Sequence, residues 1–286
     1  MAYILALGSA ALYGAADFLG GLASRQASAI TIVLMSQAVG LVLLTFTLPF
    51  LPSAQPLQAD VIWGGLAGLA GGIGVALLYR ALAVGRMAVV APVTAVCAVT
   101  IPVTVGLWFG EQLAWTTAIG VGLALVAIVL VSQQGVAAPT ARRGGTVPRG
   151  VGLALVSGVA IGVFFLALAE TDARAGMWPL VSARAASVIF FGAMVLVGKR
   201  PLRVAAPVIR IAVAAGVIDV CANALYLLAT RYGPLNVAVT LSSLYPASTV
   251  VLARLTLGER LNAWQAAGLG CALVAIALIV GGSGAF

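Results

Sequence analysis

Asp17, Asp219 and Arg184 are ionisable residues set inside long apolar stretches. A charged side chain at mid-membrane depth costs at least about 2.5 kcal/mol, so its presence there suggests function by default. A buried carboxylate takes up a proton or an amine, and a guanidinium holds a carboxylate. Tyr13 precedes Asp17 by one helical turn on the same face. Asp219, Asn223 and Tyr226 fall at i, i+4 and i+7, on one stripe of a helix. Gln37 lies in the second apolar stretch, and Tyr245 lies deep in the ninth. These eight residues form the expected substrate or ion pathway. Asp17 and Asp219 would bind a proton or an amine, and Arg184 would hold a carboxylate or balance Asp17. Each also has a plainer reading. Asp17 and Arg184 form a buried pair, Asp219 caps a neighbouring helix, Gln37 and Asn223 hydrogen-bond between helices, and the tyrosines pack in the core.

Other chemistries are excluded by what the chain lacks. There is no histidine, which removes Ser-His triads, His-based zinc sites and haem ligation. Lys199 is the only lysine and Arg200 follows it, so no phosphate-binding Walker loop exists. No Asp, Glu or Cys cluster has metal-ligand spacing, so no metal, no cofactor and no catalytic residue is expected. Cys97, Cys221 and Cys271 lie in apolar stretches, read as free buried thiols.

The elements that must position the polar residues are membrane spans. Hydrophobic residues make up 63 % of the chain and charged residues 8 %, against about 25 % charged in a soluble domain. Mean hydropathy is +1.17. Apolar runs near the length of a membrane-spanning helix dominate, so the fold class is an all-α integral membrane protein. Ten spans are expected, at Tyr3–Ala23, Ala29–Leu51, Val61–Ala83, Met87–Phe109, Trp115–Ser132, Gly150–Ala169, Trp178–Val197, Val208–Thr230, Leu235–Leu257 and Trp264–Gly281. The first stretch carries no cleavable-signal pattern and reads as a span. Trp63, Trp108, Trp115 and Trp264 read as interfacial anchors, and Trp178 as a further candidate for lining a cavity.

The chain is also duplicated. Gly85, Gly110, Glu111, Leu113, Gly120 and Gly122 return as Gly233, Gly258, Glu259, Leu261, Gly268 and Gly270, at one offset (233 − 85 = 148). Residues 1–134 and 149–286 are the two five-helix units, with 135–148 as linker. Five spans per unit is an odd number, so tandem units cross in opposite senses and form an inverted repeat, a plan that supports alternating access. The glycines at 64, 65, 68, 71, 72 and 74 crowd the third span and read as close packing. Pro92, Pro102 and Pro246 bend the fourth and ninth spans, which are repeat partners. Glu111 and Glu259 sit at repeated turns, where a carboxylate offsets the positive end of a helix. Arg25, Arg86, Arg142, Arg143, Arg149, Lys199, Arg200, Arg203 and Arg260 follow odd-numbered spans, whereas Arg174 and Arg231 follow even ones. The positive-inside rule then places the odd loops in the cytoplasm and both termini outside. The net charge of +8 is therefore a topology signal, with no nucleic-acid partner implied.

Gly110-Glu111-Gln112-Leu113 with Gly120 and Gly122, and Gly258-Glu259-Arg260-Leu261 with Gly268 and Gly270, resemble the repeated turns of the EamA family in the drug/metabolite transporter superfamily. The resemblance covers essentially the whole chain. It implies a multi-pass secondary transporter of the cell (inner) membrane. Such proteins move amino acids, amines or other small metabolites, often outward, through a path between the halves. It implies a small-molecule substrate, protons as a candidate co-substrate, and a monomer or homodimer. Some relatives couple to protons through a carboxylate in the first span, a place Asp17 fills here. The resemblance implies both termini in the cytoplasm, the reverse of the arginine pattern. A non-transporting scaffold and a membrane-embedded lipid-modifying enzyme remain as alternatives.

Overall fold

The computed structural model describes residues 1–51, 54–108, 115–132, 149–198, 204–232, 241–242 and 244–282. Among them the chain forms ten α-helices and no strand. In the first half these are α1 (Ala2–Ala23), α2 (Ala29–Thr47), α3 (Gln58–Val84), α4 (Met87–Trp108) and α5 (Trp115–Ser132). In the second they are α6 (Val151–Ala169), α7 (Trp178–Val197), α8 (Ala206–Tyr232), α9 (Tyr245–Leu257) and α10 (Ala263–Gly282). Most ends fall close to the bounds expected from hydropathy, but α9 begins at Tyr245 after a turn at Leu244, not at Leu235, which lies outside the described residues. α3 and α8 are longer, at 27 residues each. α2 is shorter, giving way to a 3-10 turn at Leu48–Phe50 that contains Pro49. Among the described residues six helical segments are long and apolar enough to cross a membrane: those of α1, α2, α3, α6, α7 and α8. Pro92 and Pro102 lie inside α4 as expected. Pro246 instead occupies the first turn of α9, after a turn at Leu244, where the missing amide proton goes unneeded.

The duplication is visible as paired hydrogen bonds across the seam between the halves. Ser9 donates to the Ala222 carbonyl at 2.9 Å, and Ser157 donates to the Gly74 carbonyl at 2.7 Å. These residues are exchanged by the repeat offset (157 − 9 = 148 and 222 − 74 = 148). Likewise Thr94 donates to the Ala154 carbonyl at 3.2 Å, while Ser242 donates to the Ala6 carbonyl at 3.3 Å. Again the offset matches (242 − 94 = 148 and 154 − 6 = 148). A bond from a first-half donor to a second-half acceptor, returned in the opposite sense, requires a two-fold relation between the halves. The packing obeys it: α1 lies on α8 as α6 lies on α3, while α2 with α7 and α5 with α10 pair across the axis.

Helix ends establish direction. The turn after α1, the start of α4, the start of α6 and the turn before α10 share one end of the bundle. There Arg25 pairs with Glu259, Glu259 accepts from the Met87 and Ala88 amides, and Gly85 abuts the Arg149 carbonyl. At the other end Asp60 accepts from the Asp172 amide, and the Gln55 amide donates to the Arg174 carbonyl. α1 therefore ends where α6 begins, and the halves run in opposite senses.

The two seams are not alike. Along α3, Gly64 lies against the Pro179 backbone, Gly68 against the Ala183 backbone, Gly71 against Phe164 and Gly74 against Ile161. A β-carbon at any of these positions would collide, so glycine allows α6 and α7 to approach the backbone. The corresponding stretch of α8 keeps a glycine at 216, against Ser36, and has Asp219 where the repeat offset puts Gly71. One seam is closed by backbone contact, and its mate carries a carboxylate.

Two expectations about single residues change. Cys221 is exposed, not buried. Cys97 and Cys271 are half-buried, and Cys97 approaches the Leu155 carbonyl at 3.4 Å. Trp108, Trp115 and Trp264 lie exposed near helix ends, as interfacial anchors require.

Candidate functional site in the polar seam

Asp219 falls at the midpoint of α8. Its carboxylate binds the Arg184 guanidinium of α7 through Oδ2. The other arm of that guanidinium donates to Gln37 Oε1 of α2. Gly40, one turn further along α2, has no β-carbon and leaves room for the guanidinium plane beside it. Asn223, one turn beyond Asp219, donates to the Asp219 carbonyl at 2.7 Å and lies 3.4 Å from Asp219 Oδ2. Its own oxygen accepts from the Tyr13 hydroxyl of α1 at 3.0 Å. Arg184 is thus held on both sides and Asp219 on two. A carboxylate–guanidinium pair with further hydrogen bonds on each member can persist at depth, where a lone charge cannot.

Asp17 is different. It lies one turn from Tyr13, within Coulombic range of Asp219. Tyr79 and Tyr245 also lie within electrostatic range of Asp17. Among the described residues its carboxylate has no hydrogen-bond or ion-pair partner, and it keeps part of its surface accessible. Arg184 and Asp219 also stay partly open, at 19 % and 27 % of their side-chain surface. With all three ionised, two carboxylates face one guanidinium, leaving one negative charge in excess.

The structure gathers the eight residues singled out from sequence. Arg184, Gln37, Asp219, Asn223 and Tyr13 form one bonded chain. Asp17 and Tyr226 lie within electrostatic range of Tyr13, and Tyr245 within range of Asp17. The direct pairing of Asp17 with Arg184 is not formed; Asp219 takes that place. Sequence reasoning missed Tyr79 and Gly40. Tyr79 is 4 % exposed, and its ring lies on Gly20, whose missing β-carbon makes the space. The signal available was the repeat itself. Under the offset Arg184 maps to Ser36, Asp17 to Phe165, Tyr13 to Ile161 and Asn223 to Val75. Asp17, Tyr13 and Asn223 have apolar counterparts and Arg184 only a hydroxyl, so the repeat marks these positions as departures from plain packing, and it marks Tyr79 in the same way, with Leu227 as its counterpart.

Glu259 has a structural role that differs in detail from expectation. It does not cap the helix that follows it. α10 is started by Asn262 and Gln265, which cap one another: Asn262 Oδ1 accepts from the Gln265 amide at 2.7 Å, and Gln265 Oε1 accepts from the Asn262 amide at 3.3 Å. Glu259 crosses to the other half. It accepts from the Met87 and Ala88 amides at 3.2 and 3.0 Å and pairs with Arg25 at 3.6 Å. The positive end of α4 and the Arg25 guanidinium both favour its charge. Arg86 reinforces the junction by donating to Gln265 Oε1 and to the Arg260 carbonyl. Gly258 makes the geometry possible, with φ of +66° ending α9 in a left-handed turn. Glu111, its repeat partner, lies outside the described residues.

No group of three or more His, Cys, Asp or Glu that would hold a metal occurs among the described residues. A comparison with curated proteins finds no significant match. A solved structure titled "Crystal structure of protein" matches with a TM-score of 0.66 at 15 % identity, over 97 % of this chain and 95 % of that one, which speaks to the fold alone. The EamA-like transporter family matches residues 1–133 and 148–281, once for each half. This chain is a multi-pass membrane protein of the EamA-like transporter family, within the drug/metabolite transporter superfamily.

Proposed function

We propose that the protein is a secondary transporter of small metabolites carrying an amine, working by alternating access across the cell membrane with all ten helices spanning it. Amines and amino acids are its substrate class, and export is the direction in keeping with the family resemblance. The observation that carries this reading is the Asp17 carboxylate. It has no hydrogen-bond or ion-pair partner among the described residues, is partly accessible, and lies beside an Arg184–Asp219 pair that already satisfies itself. A site with one negative charge in excess attracts one positive charge, either an ammonium group or a proton. Tyr79 and Tyr245, within electrostatic range of Asp17, add aromatic rings to the surroundings of an ammonium held there. Arg184 receives a substrate carboxylate when Asp219 yields it, which places amino acids beside simple amines in the substrate class.

Uptake and counterflow of labelled amines and amino acids in proteoliposomes test this reading. The expected result is saturable flux that Asp17→Asn and Asp219→Asn each abolish, with folding intact by thermal melting. Flux preserved in both variants overturns the assignment of roles. Absence of flux for every amine and amino acid tried, in protein that melts cooperatively, favours the scaffold alternative.

A further inference from the structure

We propose that the groove between the α1–α2 turn, α3 and α7 binds one anionic phospholipid, with its phosphate between Arg25 and Arg80 and an acyl chain along Ile73, Leu77 and Phe190. This goes beyond the transport site, which it does not share. The groove has a volume of about 830 Å³ and lies at the end of the bundle that gathers the α1–α2 turn and the C-terminal halves of α3 and α7. Its wall changes character along its length. At the turn it is polar, with Ser24, Arg25, Gln26 and Ser28; away from it the wall is apolar, with Ile73, Leu77, Phe190 and Met194. Ile73 and Met194 are 39 % and 37 % exposed, so the apolar length opens sideways, toward the hydrocarbon of a surrounding bilayer.

Three observations select the ligand. Arg80 is exposed in this wall and has no ion-pair or hydrogen-bond partner among the described residues. Arg25 is only partly engaged, at 3.6 Å from Glu259, and keeps 31 % of its side-chain surface open. Ser24 lines the groove at 4 % exposure, and its hydroxyl is buried without a hydrogen-bond partner among the described residues. Two cations and an unsatisfied hydroxyl at the head of an apolar channel match a phosphodiester with its chain attached. A free phosphate would satisfy the cations and leave the apolar length empty. A neutral lipid would fill the apolar length and leave Arg80 unpaired. Basic pockets between spans at the positively charged side of a membrane protein bind anionic headgroups on this basis.

Native mass spectrometry of the detergent-purified full chain tests the site, using phosphatidylglycerol, phosphatidylcholine and inorganic phosphate as separate probes. Wild type is expected to retain one phosphatidylglycerol under activation that strips phosphatidylcholine. Arg80→Gln is expected to weaken that binding about fivefold, the loss of one basic contact near a membrane surface, while Arg80→Lys retains most of it. Arg174→Gln, at the opposite end of the bundle, is expected to leave it unchanged. Equal retention of the two lipids, undiminished binding by Arg80→Gln, an equal loss in Arg174→Gln, or complete displacement of the lipid by inorganic phosphate each overturns the proposal.

Discussion

Asp17 and Arg184 illustrate how differently two buried charges behave. Arg184 is pinned by Gln37 and Asp219, so truncating it leaves Asp219 uncompensated. Arg184→Ala is expected to destabilise the fold by about 3 kcal/mol or more, the usual cost of orphaning a buried ion, read as a lower melting temperature in detergent. Asp17 has no such bond to lose among the described residues. Asp17→Asn is expected to change the melting temperature little while removing flux. A large drop in melting temperature would instead make Asp17 a structural residue. Outside the membrane, Asp172 gives a pH marker. Side-chain and backbone hydrogen bonds with Arg174 hold its carboxyl down to about 2 from an ordinary 3.8. A carboxyl depressed in the folded state adds stability at and above pH 4, which is lost as the pH falls toward 2. Titration of this turn by NMR should place its midpoint near 2 in wild type and nearer the ordinary value for Asp172 in Arg174→Gln. The eight polar residues were legible because intramembrane charge and amide groups are rare in so apolar a chain. Which carboxylate would meet Arg184 was not legible, because that depends on the register of α8 against α7, and Asp17 and Asp219 look equivalent along the chain.

At the scale of elements, most helix ends could be read from hydropathy and turn residues, but the start of α9 at Tyr245 could not, because the apolar run continues through the turn at Leu244. The glycines of α3 were legible as packing residues, and the structure shows what they pack on. Gly68→Leu is expected to cost about 1–3 kcal/mol or more through overpacking against the Ala183 backbone, measured by thermal denaturation. Gly122 has open space around it, so Gly122→Ala should be near neutral in the same assay. Glu259 could be recognised as a helix cap from its turn, but not its recipient, because the amides it satisfies belong to α4, 171 and 172 residues away. Glu259→Gln keeps the size and loses the charge. It is expected to cost about 1–2 kcal/mol, from weakened bonds to the Met87 and Ala88 amides and the lost attraction of the helix end and Arg25.

At the scale of the whole molecule, the offset of 148 residues foretold a two-fold relation, and the exchanged bonds of Ser9 with Ser157 and of Thr94 with Ser242 embody it. Those bonds were hidden in the sequence because serines and threonines are scattered among many small residues and carry no periodic signal. Membrane orientation belongs to this scale too. The end that holds Arg25, Arg86, Arg149 and Arg260 is expected to face the cytoplasm. A reporter fused after Phe286 should then be active only if it works outside; activity of a cytoplasmic reporter at that site would reverse the assignment and agree with the family expectation.

The inequality of the two seams has a mechanical consequence. Where α3 meets α6 and α7 through glycine, backbone rests on backbone and little room exists for sliding. Where α8 meets α2, Gly216 keeps one backbone contact on Ser36, and Asp219 stands where the other seam has a glycine. Under the proposed alternating access, the glycine-lined seam serves as the hinge and the Asp219 seam as the edge that opens. In a background with Cys97, Cys221 and Cys271 replaced, a cross-link between Gly65→Cys and Ser182→Cys should leave flux running, because it fastens the hinge. A cross-link between Gly8→Cys and Leu225→Cys should stop it, because it bolts the free edge.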